Sequence, residues 1–304
     1  DGLPDEFLDE FKERITTEFV STYPEPHGFE RAYAKYINVG INEIMATNGS
    51  DMAIRYAFET FGEPGKYVVT VAPSFEMYRI NAQLLGLKHK AISYNDDLSI
   101  NICRIIESID YETSIVVLLN PNNPVGDVYS EEDIRRIIEK AEEVGAVVII
   151  DEAYHYFCQT TYVKLINEYS NVMVFRTFSK LFAMAACRLG VIISNPEIIA
   201  WLRRGKLTFD VNSFALMMGE MILERPDIIE KLIHREKEGK EYLVSVMESN
   251  GYVTKKCEGN FVFIYPKSDV KEVEAKLKER KILIKTYSNP LLKSLMQQYR
   301  SQAA

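Results

Sequence analysis

Cysteine and histidine are scarce in this sequence, and neither is arranged as a metal site. The four cysteines, Cys103, Cys158, Cys187 and Cys257, lie far apart without any C-x-x-C spacing, and the four histidines are equally scattered. Such spacing favours free thiols in a reducing compartment over a disulfide framework or a zinc site. We therefore predict a cytoplasmic protein without a structural metal.

Long apolar runs and a basic excess are also missing. No apolar run approaches the roughly 20 residues that a membrane helix needs. The first residues, DGLPDEFLDEF, are acidic where a signal peptide would be basic and then apolar. The formal net charge is −8, so we expect no basic surface for nucleic acid or an anionic membrane. The partners that remain are small molecules and other protein chains.

What the sequence does contain is a regular alternation of strand and helix patterns across its 304 residues. Apolar segments such as KYVVTVAP (66–73) and AVVIIDEAY (146–154) alternate with amphipathic ones such as EEDIRRIIEKAEEVG (131–145). This alternation predicts an α/β fold with a largely parallel sheet covered by helices on both faces. Near Pro196 the pattern changes to long helices and short strands. We therefore predict a large domain at 24–195 and a smaller α+β domain from 1–23 and 196–304.

Three individual elements are predicted from local patterns. Residues 5–20 form one amphipathic helix in this interpretation, because apolar side chains recur there at every fourth position. A long helix is predicted at about 213–249. The segment KILIK (281–285) is predicted to be a strand.

Three polar motifs each follow a predicted strand. They are NPNNPVG (120–126), DEAY (151–154) and RTFSK (176–180), and the lysine of the last is followed by Arg188. In an open α/β sheet the carboxyl ends of parallel strands present ligand-binding side chains at one edge. We therefore expect Asp151, Tyr154 and Lys180 to share one crevice, where a lysine can act as a nucleophile.

Each motif also has a purely structural interpretation. An isolated lysine is usually a solvated charge, an aspartate at a strand end often caps a turn, and asparagine, proline and glycine are the usual turn residues. The ordered combination of the motifs favours the functional interpretation. A fourth stretch, NGSD (48–51), places backbone N–H groups and a hydroxyl at the start of a predicted helix, which is a typical anion site.

Taken together, N-P-N-N-P-x-G, D-E-A-Y and S-K followed by R-x-G resemble the fold-type I pyridoxal-phosphate aminotransferases, in the branch that includes histidinol-phosphate aminotransferase. The resemblance runs from about Tyr23 to about Lys285. It implies the seven-stranded large domain of that family and pyridoxal 5'-phosphate as cofactor. The expected reaction moves an amino group between an amino acid, or a phosphorylated amine such as histidinol phosphate, and an oxo-acid. The alternative is a decarboxylase of a phosphorylated amino acid on the same scaffold.

The resemblance also implies roles for the residues of the three motifs. The lysine matching Lys180 bonds covalently to the cofactor aldehyde and later carries a proton at the substrate α-carbon. A carboxylate at Asp151 favours the protonated pyridine ring, which then withdraws electrons. Asn123 and Tyr154 match the positions that hydrogen-bond the ring oxygen.

A second group of residues matches the family's phosphate site, which needs N–H groups, hydroxyls and a cation. In it Asp51 contributes only its backbone N–H, because a carboxylate would repel a phosphate. The members are Ser50, Asp51, Thr177, Ser179 and Arg188.

Two aromatic positions complete the cofactor assignment. Tyr78 in APSFEMY matches the aromatic residue that stacks on the cofactor ring, and Phe75 competes for that role; a core tyrosine is the plain alternative. Tyr23 in YPEP matches a tyrosine that reaches the cofactor phosphate of a neighbouring subunit. This match implies a homodimer with a shared active site.

The substrate half of the site is less complete. Asn260 in GNFVFI resembles a position near the substrate carboxylate, although a strand-opening turn explains it nearly as well. The family's N-E-N-P-like motif and its C-terminal L-R-x-x-x-G are not found, and Lys285 stands where an arginine is usual. Lysine cannot offer the same bidentate fork. Arg300 is one candidate clamp, and a chain that continues beyond both ends is the other explanation.

Overall fold

The computed structural model describes residues 2–158, 160–287 and 292. In this part of the chain the strands form one seven-stranded sheet and one two-stranded sheet. The strands are β1 (Ile44–Thr47), β2 (Tyr67–Ala72), β3 (Lys88–Ser93), β4 (Thr113–Leu119), β5 (Val147–Asp151), β6 (Val172–Thr177), β7 (Gly190–Ser194), β8 (Val253–Lys256) and β9 (Val262–Tyr265).

The seven strands lie in the order β1-β7-β6-β5-β4-β2-β3. Neighbouring strands from β3 to β6 pair in parallel, whereas β7 runs antiparallel to both β6 and β1. The predicted α/β fold with a mostly parallel sheet is confirmed. Because the parallel strands share one direction, their carboxyl ends lie at the same edge of the sheet.

Helices cover both faces of this sheet. Alternate residues of each strand point to opposite faces, so Ile149 packs into one apolar cluster and Ile150 into another. The first cluster takes apolar residues from the helix Gly49–Phe61 and the second from the helix Glu131–Glu143. The helices are α1 (Asp5–Glu13), α2 (Thr17–Ser21), α3 (His27–Ile37), α4 (Gly49–Phe61), α5 (Met77–Leu84), α6 (Ile102–Ser108), α7 (Glu131–Glu143), α8 (Pro196–Gly205), α9 (Ser213–Leu223), α10 (Pro226–Ser249) and α11 (Val270–Glu279).

Three local predictions were wrong. The single helix predicted at 5–20 is two helices, because the Thr16 hydroxyl accepts a hydrogen bond from the Phe19 N–H and starts α2 anew. The long helix predicted at 213–249 is divided into α9 and α10, since Pro226 occupies the first turn of a new helix. The predicted strand KILIK is irregular, and Leu283 within it is exposed.

The hairpin of β8 and β9 packs against the loop that follows β4. The Glu258 N–H donates a hydrogen bond of 2.7 Å to the Gly126 carbonyl. Gly126 has a φ of +79°, and a side chain there would collide with Cys257. Among the described residues, no helix combines the length and the apolar character needed to cross a membrane.

Candidate active site

A cavity opens where β4, β5 and β6 end, and the first turn of α4 closes one side of it. Each of the three strands contributes residues from its last position or from the loop that follows. The lining residues are Ser50, Asp51, Phe75, Leu119, Asn123, Asp151, Ala153, Tyr154, Thr177, Ser179, Lys180 and Arg188. The structure thus brings all three motifs and the NGSD stretch to one place.

Asp151 is the buried carboxylate of this cavity. It accepts hydrogen bonds from the Tyr78 hydroxyl at 2.8 Å and from the Ala153 N–H at 3.1 Å. Burial raises the pKa of Asp151 to about 6, against the opposing influence of these two hydrogen bonds and of the Lys180 charge. A buried carboxylate of this kind is stabilised when a cationic group is placed opposite it.

Lys180 and Tyr154 face each other across the cavity. The Lys180 Nζ lies 5.2 Å from the centre of the Tyr154 ring, within the range of a cation–π contact. The Asn123 amide donates a hydrogen bond of 2.6 Å to the Tyr154 hydroxyl, and Phe261 packs edge-on against the same ring. These contacts restrict the Tyr154 ring beside the amine.

The α4 end of the cavity is suited to an anion. Ser50 and Asp51 lie in the first turn of α4, where backbone N–H groups have no partner within the helix. The Arg188 Nη2 lies 2.7 Å from Asp51 Oδ2 and points toward this turn. Gly190 allows β7 to approach the first turn of α4 closely, since a Cβ at this position would lie 2.8 Å from the Ser50 nitrogen.

Hydroxyl groups supply the rest of this anion site. Thr177 and Ser179 line the cavity beside Lys180, and the Thr177 hydroxyl accepts a hydrogen bond from the Ser179 N–H at 3.1 Å. The cavity therefore offers an aldehyde-reactive amine, a buried carboxylate and an anion cradle. These three features fit a phosphorylated pyridine aldehyde, which needs one of each.

The stacking role predicted for Tyr78 does not fit its position. Its side chain is only 1% exposed and lies behind Asp151, to which its hydroxyl is bonded. Phe75, one turn earlier, lines the cavity instead and contacts Tyr78 edge-on. Tyr78 therefore contacts the site through Asp151 and does not line the cavity.

The other predicted positions that the structure describes do not line this cavity. Tyr23 is 74% exposed and stacks on Phe209, with 4.4 Å between the ring centres. Asn260 is exposed and does not line the cavity, although the next residue, Phe261, contacts Tyr154. Lys285 lies over the Tyr287 ring. Arg300 lies outside the described residues.

Two features of the cavity were not anticipated from the sequence. Leu119 and Ala153 contribute apolar walls at the ends of β4 and β5. The residue types at these two positions gave no functional signal in the sequence. Gly49 has a φ of +72°, and a Cβ there would lie 2.7 Å from the Arg188 Nη2. The glycine of NGSD could have indicated such a close approach.

The model of the aminotransferase class I and II family matches residues 2–297. The chain belongs to the class I and II aminotransferase family. It is 33% identical to the histidinol-phosphate aminotransferase of Caldanaerobacter subterraneus over 94% of this chain and 82% of that protein. The histidinol-phosphate aminotransferase of Clostridium novyi is 32% identical over 93% of this chain and 79% of that protein.

Solved structures share the fold. The histidinol-phosphate aminotransferase of Clostridium acetobutylicum aligns with a TM-score of 0.83 and 25% identity, over 93% of this chain and 86% of that one. The Sinorhizobium meliloti enzyme, solved with pyridoxal-5'-phosphate, aligns with a TM-score of 0.85 and 19% identity, over 95% of this chain and 81% of that one. The second likeness concerns the fold alone.

Family membership confirms the resemblance read from the motifs. The protein is a pyridoxal-phosphate-dependent aminotransferase. The relatives named above are all aminotransferases, and nothing in the comparison favours the decarboxylase alternative.

Proposed function

We propose that the protein moves an amino group between a phosphorylated amine of the histidinol phosphate class and an oxo-acid. The similarity to histidinol-phosphate aminotransferases over 93% or more of this chain supports this substrate class. The observation that carries the catalytic part is the cavity in which Lys180, Asp151 and Arg188 all present their side chains.

The residues divide the binding of the cofactor among them. Asp151 would pair with the ring nitrogen, because a carboxylate with a raised pKa gains most from a cationic neighbour. The Asn123–Tyr154 pair would hold the ring oxygen, and Phe75 would cover the ring. The anion cradle formed by Ser50, Asp51 N–H, Thr177, Ser179 and Arg188 would hold the phosphate.

Pyridoxal phosphate, when bound, supplies an electron sink for the bond broken at the substrate α-carbon. Lys180 holds and returns the proton at that carbon, since its amine lies in the cavity beside the Tyr154 ring. The hydrogen bond from Asn123 holds the Tyr154 hydroxyl in place and favours the ring position beside the amine. Leu119 and Phe75 reduce the access of water to the reacting atoms.

The proposed enzyme is a homodimer with a shared active site. Tyr23, Phe209 and Phe214 are aromatic residues exposed by 74%, 51% and 41%, and Tyr23 is held against Phe209 by stacking. Exposed aromatic residues of this kind are typical of an interface. We assign Tyr23 to the phosphate of the partner subunit. The free cysteines support a reducing cytoplasm.

The proposed domain division places the cofactor site in the large domain, 24–195. The smaller domain, 1–23 and 196–304, carries the β8–β9 hairpin and Asn260 on the substrate side. The contact of Phe261 with Tyr154 supports this assignment, because it joins the hairpin to the cofactor site.

The test is a series of single half-reactions. The apoprotein is loaded with pyridoxal phosphate, and the visible absorption is followed after adding histidinol phosphate, phenylalanine or glutamate. We expect histidinol phosphate to bleach the visible band fastest and Lys180→Ala to abolish the reaction. Lys164→Ala, which changes an exposed ion-paired lysine, is the control. A faster reaction with phenylalanine would contradict the substrate class, and an unreactive holoenzyme would contradict the assignment of the site.

A further inference from the structure

Directly behind the cavity lies a buried ion pair between Glu152 and Arg176. The Arg176 Nε and Nη2 donate to the same Glu152 oxygen, Oε2, at 3.0 and 2.9 Å. Glu152 is completely buried, and Arg176 is only 5% exposed. The charged groups are therefore screened very little by solvent.

The pair also fixes the loop that follows β5. The second Glu152 oxygen accepts a hydrogen bond from the Tyr162 N–H at 2.6 Å. The Thr161 hydroxyl donates to Glu152 Oε2 and accepts from Arg176 Nη2 at 2.7 Å. Both Glu152 oxygens, the Arg176 Nε and Nη2 and the Thr161 hydroxyl therefore each have a hydrogen-bond partner.

The two residues are neighbours in sequence of the residues that line the cavity. Glu152 follows Asp151 at the end of β5, and Arg176 precedes Thr177 at the end of β6. Asp151 pairs with Phe175 in the sheet, and the Glu152 N–H donates to the Phe175 carbonyl at 2.8 Å. Since side chains alternate along a strand, the ion pair lies on the opposite face of the sheet from Asp151 and Thr177.

We propose that the Glu152–Arg176 pair is a positioning device that holds the end of β5 in register with the end of β6. It fixes the separation between Asp151 on one strand and the Thr177–Lys180 segment on the other. These groups must contact opposite parts of one rigid cofactor ring. The proposal rests on the proposed roles of Asp151 and Lys180.

Stability alone does not account for this arrangement. Replacing a buried ion pair by apolar residues of similar size is often neutral or stabilising, because desolvation of the charges opposes their attraction. An arginine fork and a carboxylate, in contrast, set the distance and angle between two strands. Misplacing reacting groups by about 1 Å can reduce a rate about 100-fold.

The experiment compares Glu152→Gln with a matched control, Glu30→Gln. Glu30 is also completely buried, accepts a backbone N–H from Ala46 at 2.8 Å and pairs with Arg203 at 2.7 Å. Its hydrogen bonds go to β1 and to Arg203 of α8, and Glu30 is not among the residues that line the cavity. The readouts are Tm, the Kd for pyridoxal phosphate titrated into the apoprotein, and kcat and KM with the best amino donor.

We expect both variants to lose thermal stability. Only Glu152→Gln should raise the cofactor Kd about tenfold and lower kcat by about 10- to 100-fold, with a much smaller change in KM. Equal Kd and kcat values for the two variants would overturn the proposal, because the pair would then be purely structural. Loss of cofactor reactivity in Lys180→Ala is measured separately. A failure of the site assignment can therefore be distinguished from a failure of the positioning role.

If Glu152→Gln does not fold, Thr161→Val supplies the same test. This change removes the hydroxyl shared by the two charged groups, and Thr161→Ser retains it as the control. A weaker cofactor affinity and a lower kcat in Thr161→Val alone support the positioning role. Unchanged values in both variants overturn it.

Discussion

The Tyr78 hydroxyl donates a hydrogen bond of 2.8 Å to Asp151 Oδ2, and both side chains are almost completely buried. The sheet therefore presents to the cavity a carboxylate whose charge is supported from behind by a phenol. The Ala153 N–H supports the other oxygen. These neighbours limit how far burial can raise the pKa of Asp151.

Tyr78→Phe removes this support. Burial raises the pKa of Asp151 to about 6, and the Tyr78 hydrogen bond opposes this increase, so the pKa should rise further in the variant. As the pH is lowered, the cofactor affinity that depends on the ionised carboxylate should then begin to decline at a higher pH than in the wild type. The measurement is the Kd for pyridoxal phosphate between pH 5 and 8. Superimposable pH profiles would rule out this role of Tyr78.

Asp151→Asn should stabilise the apoprotein while it impairs cofactor binding. The pKa of Asp151 is about 6 in the folded chain, above its ordinary value of 3.8. The protonated Asp151 carboxyl therefore stabilises the folded state below pH 3.8, and this stabilisation is lost as the pH rises through 6. At pH 7 the ionised group costs about 3 kcal/mol of unfolding free energy.

The asparagine variant does not titrate and avoids most of this cost. Urea unfolding of both apoproteins at pH 4 and pH 7 measures the effect. The gain in stability of the variant over the wild type should be much larger at pH 7. A gain that is the same at both values would contradict the raised pKa.

The sequence predicted the cofactor half of the site because each motif directly follows a strand of the parallel sheet. Asp151 and Lys180 are distant in the sequence, yet sheet topology alone requires the ends of β5 and β6 to be neighbours. The α/β class followed from the alternation of apolar and amphipathic segments for the same reason. Both inferences depended on patterns that extend over several residues.

Features that depend on which of several side chains occupies a position were harder to predict. Phe75 and Tyr78 are one turn apart in one motif, and only the packed structure shows that the Tyr78 hydroxyl bonds to Asp151. The break between α1 and α2 depends on the Thr16 cap, which periodic apolar spacing conceals. KILIK has a strand composition, but a strand also needs a paired neighbour, which composition cannot specify.

Gly49→Ala should weaken binding of the cofactor phosphate. Gly49 and Gly145 both have positive φ values, +72° and +76°, so alanine strains either backbone by roughly 1–2 kcal/mol. At Gly49 the added carbon also lies 2.7 Å from the Arg188 guanidinium, whereas at Gly145 nothing lies within 4 Å. Titration of each apoprotein should show a weaker cofactor Kd, by about tenfold, for Gly49→Ala only. Equal affinities would show that Arg188 does not need this space.

Tyr23→Ala tests the shared active site. The change removes the ring that stacks on Phe209 and the hydroxyl assigned to the partner subunit's phosphate site. We expect a weaker dimer in sedimentation velocity and a weaker cofactor Kd. Tyr23→Phe retains the ring, so it should dimerise normally and lose only cofactor affinity. A wild-type protein that is monomeric at micromolar concentration and fully active would contradict the shared site.

The proposed activity depends most directly on the bond between Lys180 and the cofactor aldehyde. Borohydride reduction of the loaded protein, followed by proteolysis and mass spectrometry of the peptides, locates that bond. We predict that the added cofactor mass lies on the peptide containing Lys180 and is absent from Lys180→Ala. A stoichiometric adduct on any other lysine, or an undiminished adduct in Lys180→Ala, would contradict it.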